Sequence, residues 1–287
     1  MLDSNSTEIQ RYIQRCTAGY RLPNRDIMKA AAAFLLVLCH LAVSHAWTCS
    51  EAPRLYNVKQ IDAGLGKVVA TTTSNYAYFL IGSRWYNLGT TRVKHVSVGP
   101  AGLWGVDTSN KVNKYVSGRF LPSTGLTMHQ VDAGGDGQVA GIYTSSNAAY
   151  CLRSATAMAY RGTGSLSWTS VSRTLKYISC GPLYGCWGVD SSYRLYVTRV
   201  KPTTCGVYGW VYVSGISAKM VEVGTDGNVF AVTTAGKVYQ RYGISSSRPQ
   251  GSGWRFVSMC MAIKHLSYDL GTLWVVTTSG FTMRCTH

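Results

Sequence analysis

The sequence predicts an all-β protein, a six-bladed β-propeller of four-stranded antiparallel blades closed by pairing of its N- and C-terminal strands. Three observations predict it: a segment copied six times, a second shared piece after each copy, and a bulky aromatic residue ahead of the next copy. A fixed internal period outranks local strand readings, because one supersecondary unit then accounts for the whole domain.

The clearest copies are KHVSVGPAGLWGVD at 94–107 and KYISCGPLYGCWGVD at 176–190, the second with one residue inserted at its turn. Weaker copies begin at Lys59, His129, Lys219 and Lys264, so successive copies start 35, 35, 47, 43 and 45 residues apart. Each alternates apolar and polar positions up to a glycine and then resumes, the pattern of two strands around a hairpin. The second piece reads TSNYAYFL, TSNKVNKY, SSNAAYCL, SSYRLYV, TAGKVYQR and TSGFTMRC, a small polar turn before a third strand. Asn75, Asn110, Asn147, Gly236 and Gly280 stand at the turn position that tolerates a positive φ. Trp85, Phe120, Trp168, Trp210 and Trp254 then precede the next copy by eight to ten residues and complete four strands per unit. One such blade cannot bury both faces, so packing six around an axis creates the core.

The last copy runs out after about three strands. LYNV at 55–58 is expected to supply the missing outer strand, and Cys49 and Cys285 lie beside the two joined ends. A bridge between them would close a loop of nearly the whole domain, for which chain-entropy models give about 5 kcal/mol.

Upstream of the repeats, Met28-Lys29 leads into AAAFLLVLCHLAV and then Ser44-His45-Ala46, the order of a secretory signal with cleavage after Ala46. The apolar run is too short for a transmembrane helix, which needs about 20 residues. Residues 1–27 are expected to be an unstructured upstream extension, 28–46 the signal peptide, and 47–287 the propeller of a secreted, extracellular protein without a transmembrane anchor. That mature part carries 23 Lys+Arg against nine Asp+Glu. An exported cation meets anionic cell surfaces and polyanionic glycans rather than nucleic acid, and its field attracts such partners without selecting among them.

Seven cysteines remain after Ala46, with no CxxC pair among them, which removes the usual zinc-finger and thioredoxin spacing. Cys180 and Cys186 face each other across a Gly-Pro hairpin, as Val98 and Leu103 do in the related copy. A hairpin staple is favoured there over a metal or redox role. Cys151–Cys205 is the expected third bridge, and Cys260 is the expected leftover thiol.

Taken together, KHVSVGPAGLWGVD, KYISCGPLYGCWGVD, QVDAGGD, YQR and the closing HLSYDLGTLW resemble the tectonin-repeat lectins of the fish-egg lectin and tachylectin-1 group. The resemblance covers residues 47–287. It implies a secreted six-bladed propeller, often a dimer, that binds N-acetylglucosamine-type sugars on egg glycoproteins or microbial surfaces, including lipopolysaccharide. It also implies sugar sites in clefts between blades and calcium in the central tunnel, with no cofactor required. Similar lectins carry a cysteine where this chain has Thr277, which would leave Cys260 without its partner. No Asn-x-Ser/Thr sequon occurs after residue 46; Asn5-Ser6-Thr7 lies in the extension.

Sugar recognition needs an aromatic face for the ring's C–H surface and a few polar groups to orient hydroxyls. Trp104 and Trp187 occupy equivalent places in blades two and four, followed by Asp107 and Asp190; GGDG and GTDG hairpins present Asp136 and Asp226. These six residues are the expected sugar contacts, in clefts between blades two and three and between four and five. The competing readings are that the tryptophans pack the core and the aspartates cap their own turns. Around the ring the inner strands carry Asp62, Ser97, Asp132, Ser179, Glu222 and Ser267. Their oxygens would suit a hard cation such as calcium, with Asp62, Asp132 and Glu222 as weak candidates; capping of backbone groups is the favoured alternative.

Catalytic motifs are missing. The sequence has no GxSxG elbow, HExxH or P-loop, and His95, His129 and His265 repeat at or beside a lysine position, as surface residues would. The expectation is a non-enzymatic lectin of egg or innate defence. A propeller hydrolase acting on glycans or lactones, and a cationic binder acting by charge alone, are the alternatives.

Overall fold

A computed structural model describes residues 47–287; the upstream extension and export signal expected at 1–46 lie outside the described residues. Six four-stranded antiparallel sheets follow one another around an axis. Blade 1 spans Val58–Asn87, blade 2 Val93–Pro122, blade 3 Met128–Thr174, blade 4 Tyr177–Val213 and blade 5 Ala218–Val257. Blade 6 takes three strands from Ile263–Thr286 and its outermost strand, Thr48–Glu51, from the other end of the chain. The closing strand is therefore 48–51 and not 55–58. Val58 already opens the inner strand of blade 1, and Cys49 falls directly opposite Cys285 in the closing ladder.

Three disulfides link the expected pairs. Cys49–Cys285 fastens the ring closure, Cys180–Cys186 joins opposed residues of one hairpin, and Cys151–Cys205 ties blade 3 to a loop of blade 4. Cys260 departs from expectation: it is disulfide-bonded and is not a leftover thiol.

The repeated glycine has a packing cause. A Cβ on Gly99 would fall 1.8 Å from the carbonyl oxygen of Ala133, and one on Gly64 would fall 2.4 Å from that of Val98. Inner strands converge there, and only hydrogen leaves room for the next blade.

Between blades the core is apolar, divided into clusters at the blade contacts, with Trp104, Trp187 and Phe230 among its fully buried side chains. On the second strand these oppose Ser97, Ser179 and Glu222, and Trp274 opposes Ser267. Each serine of the inner ring thus faces a tryptophan, whereas Asp62 and Asp132 face Val69 and Ala140. Blade 3 carries the one helix among the described residues, Ser154–Ala159, between its third and fourth strands. The parallel pair Thr124–Gly125 with Ser165–Leu166 holds this insertion against blade 2.

Candidate functional site

Blade topology sorts the expected sugar contacts onto opposite faces of the disc. Asp136 and Asp226 sit in the hairpins between first and second strands, while Asp107 and Asp190 end the second strand. Five residues of strand, about 15 Å, separate the two levels. Asp107 and Asp190 therefore cannot line a cleft with Asp136 or Asp226. They cap their own turns instead: Asp107 Oδ1 accepts from the amides of Ser109 and Lys111, and Asp190 Oδ1 from those of Ser192 and Arg194. Arg194 Nε adds a 2.8 Å ion pair to Asp190 Oδ2; against burial, which raises it, the hydrogen bonds from the Arg194 amide and side chain and from the Ser192 amide hold that carboxyl below the usual carboxylate range.

The two tryptophans are corrected as well. Both are 0% exposed. Trp104 donates to the Ala101 carbonyl and stacks on Tyr160, and Trp187 packs edge-on against Trp254 at 6.0 Å. Neither ring has a face left for a ligand, because each fills the wedge between neighbouring blades.

Of the two expected clefts, the one between blades two and three is filled. The helix Ser154–Ala159 lies over it, with Ser154 and Met158 against Gly137. Lys114 donates to the carbonyls of Ala157 and Met158 and anchors the helix on blade 2. Asp136 is left exposed beside the filled cleft.

Between blades four and five the cleft is open, with a volume of about 300 Å³. Its walls are Tyr184 from blade 4 and, from blade 5, Asp226, Asn228, Gln240, Tyr242 and Arg255. Tyr184 leans on Gly227, whose φ of +82° and lack of a side chain let the ring approach. Asp226 is fixed from two sides: Asn228 donates through its amide nitrogen and Nδ2 at 2.9 and 2.8 Å, and Tyr268 Oη from blade 6 donates to Oδ2 at 3.0 Å. Burial and the Asp226 charge push the Tyr268 phenol up to about 12, so it stays a donor. Gln240 Nε2 donates to Asn228 Oδ1 at 3.1 Å, and Arg255 lies 6.0 Å over the Tyr242 ring. Two tyrosine rings, a carboxylate, two carboxamides and the guanidiniums of Arg241 and Arg255 form a surface suited to vicinal hydroxyls and an N-acyl group. Sequence reasoning reached Asp226 and missed its companions. Two signals pointed to them: the extra residue in the blade 4 turn, which creates Pro182-Leu183-Tyr184, and the carboxamide two positions after Asp226.

On the axis, the ring of acids and serines joins the blades. Asp62 Oδ2 accepts from the Val98 amide at 2.6 Å, Ser97 Oγ from Ala133, Asp132 Oδ1 from Cys180, Ser179 Oγ from Val223 and Ser267 Oγ from Ala63. Ser267 Oγ in turn donates to Glu222 Oε1 at 2.8 Å and completes the circuit. Burial raises all three carboxyls, Asp62 to about 7 and Asp132 to about 8, with Glu222 well above its usual value; the Asp269 charge adds to Asp62, Asp62 to Asp132, and both Asp62 and Asp132 to Glu222. One oxygen of each of the three is committed to a neighbouring blade, and no three metal-ligating side chains gather among the described residues. In this arrangement Asp62, Asp132 and Glu222 do not fit a calcium ion. The histidines are corrected too: the ring nitrogens of His95 and His265 are buried, and His265 Nε2 lies 2.9 Å from Tyr177 Oη. Burial lowers His95 to about 3 and keeps it neutral.

Comparison with known proteins supplies a family. A family model described as the Tectonin domain matches residues 57–278. Fish-egg lectin of Cyprinus carpio is 40% identical over 232 residues, 80% of this chain and 95% of the carp protein. Among solved structures, a gluconolactonase from Xanthomonas campestris superposes with a TM-score of 0.61 at 8% identity, covering 86% of this chain and 93% of that one. A streptogramin B lyase superposes with a TM-score of 0.52 at 12% identity, covering 84% and 97%. At such identities these two structures establish the propeller fold alone.

Proposed function

The chain belongs to the tectonin family, and from that premise we propose that it is a non-catalytic lectin whose sugar site is the cleft between blades four and five. The observation that carries this reading is the placement of Tyr184 opposite Asp226, Asn228 and Gln240, an aromatic face with fixed polar groups around it. The ligand class is N-acetylglucosamine-type glycans on egg glycoproteins or microbial surfaces, lipopolysaccharide included. Export through the signal at 28–46 would deliver the protein to them, and pairing of two chains would raise a weak single-site affinity by avidity.

Two arguments favour binding over turnover. Asp226 is the one carboxylate on the cleft wall, and its oxygens already accept from Asn228 and Tyr268. Paired-carboxylate hydrolysis needs a second group on the opposite side of the scissile bond. A charge-only binder is separated by salt, since exposed charges are screened within about 8 Å at physiological ionic strength. The test is retention on N-acetylglucosamine-agarose in high salt followed by elution with free sugar. Retention and sugar-specific elution are expected; flow-through at high salt would reject the reading.

A further inference from the structure

On the face opposite the sugar cleft, the inner strands begin with Lys59, Lys94, His129, Lys176, Lys219 and Lys264. In five of the six blades the strand pairing shifts register across this residue, between Val58 and Gln60, Val93 and His95, Met128 and Gln130, Ala218 and Met220, and Ile263 and His265. In blade 4, Lys176 stands just before the strand, its amide donating to the Val189 carbonyl at 2.6 Å. A bulge re-aims a side chain out of the ladder. Repeated in five blades, with Lys176 at the matching place in blade 4, the arrangement sets five lysines and His129 around one mouth of the axis.

No lysine of this ring is ion-paired with a carboxylate among the described residues, although Asp107 lies near enough to act on Lys94. Among the described residues the ion pairs are Arg54 with Glu51 and Arg194 with Asp190; the second lies on this face beside Lys176, but neither involves a residue of the ring. Lys59 reaches Asn75 Oδ1 at 3.4 Å, Lys94 reaches Asn110 Oδ1 and Lys219 the Ile263 carbonyl at 3.0 Å, all uncharged acceptors. Lys176 rests on the Tyr193 ring, 5.3 Å away. Burial lowers both Lys94 and Lys264, and the Lys59 charge lowers them further across the blades, partly offset at Lys94 by Asp107. One residue deeper, His95 Nδ1, His95 Nε2 and His265 Nδ1 are buried without hydrogen-bond partners, and the His95 ring lies 6.4 Å from that of His265.

We propose that this lysine ring is an anion site for a compact, multivalent phosphate, which would sit on the axis above His95 and His265. Ammonium groups act as point charges toward phosphate oxygens, and the neutral imidazoles beneath can each donate one N–H. Charges converging on a point favour a small ligand with several negative groups, whereas a linear polyanion is served by a basic track. The site is independent of the sugar cleft, since the height of the disc separates them.

The test is isothermal titration calorimetry of the mature protein with tripolyphosphate at physiological salt. One ligand per chain is expected. The double variant Lys94→Gln with Lys264→Gln should bind about tenfold more weakly, as two lost charge pairs would cost. Lys94→Arg with Lys264→Arg should restore binding, and a control that removes two charges elsewhere, Lys67→Gln with Arg84→Gln, should leave it unchanged. Equal losses in ring and control variants, no binding by the parent protein, an adventitious stoichiometry above one, or preference for linear heparin fragments over tripolyphosphate would each overturn the proposal. Retention of the ring variant on N-acetylglucosamine-agarose is expected throughout, so failure here is distinguishable from failure of the lectin reading.

Discussion

Tyr184 of blade 4 and Gly227 of blade 5 approach so closely that a Cβ on the glycine would lie 2.4 Å from the tyrosine ring. The contact brings an aromatic face of one blade to the carboxylate and carboxamides of the next. Gly227→Ala would collide with that ring and strain a φ of +82°. We expect sugar affinity to fall at least tenfold with about 1 kcal/mol lost in stability, readable by titration calorimetry and thermal melting.

Tyr268 is the fixed donor behind Asp226. Tyr268→Phe removes one hydrogen bond to a carboxylate that still keeps its two from Asn228. A stability loss of about 1 kcal/mol is expected, with a several-fold loss in sugar affinity as Asp226 becomes mobile. Asp226→Asn should weaken binding further while sparing the fold.

The axial carboxyls give the molecule a pH signature. Asp132 is raised from 3.8 to about 8 by burial, with Asp62 as the next cause, so the folded state prefers its neutral form. Its contribution is complete below about pH 4 and is lost as pH rises to about 8. Asp132→Asn keeps an acceptor for the Cys180 amide without a charge. The variant should therefore melt higher than the parent at pH 8.5, with the difference shrinking at pH 5. Neutral His95, lowered to about 3, works in the opposite sense and costs stability as pH falls below 6.5. Added calcium is expected to leave both melting curves unmoved.

Ring closure rests on a four-residue strand and one bridge. Cys49→Ser with Cys285→Ser should lower stability by roughly 3 to 5 kcal/mol and let the end strand exchange amide protons first. Hydrogen exchange confined to 48–51 and 282–286 would report it.

The fold was legible because six copies repeat the same turn chemistry. Asn75, Asn110 and Asn147 do adopt positive φ, at 60°, 66° and 56°. The site was less legible, for reasons that can be located. Equivalent tryptophans read equally well as ligand platforms and as core, and the deciding fact, that Trp104 and Trp187 oppose Ser97 and Ser179 across the inner hairpin, lies in the register. Placing Asp190 and Asp226 in one cleft ignored the strand that carries them to different faces. Tyr184 was visible as an inserted residue, and the helix over the blade 3 cleft as the longest spacing, 47 residues. The lysine bulges were not visible, since a register shift leaves no mark in a single sequence.

The central claim is that the Tyr184 and Asp226 cleft recognises the sugar. Titration of N-acetylglucosamine into the parent protein and into Tyr184→Ala tests it most directly. The account predicts saturable binding at one site per chain that disappears in Tyr184→Ala while the melting curve stays put; undiminished binding in that variant would contradict it.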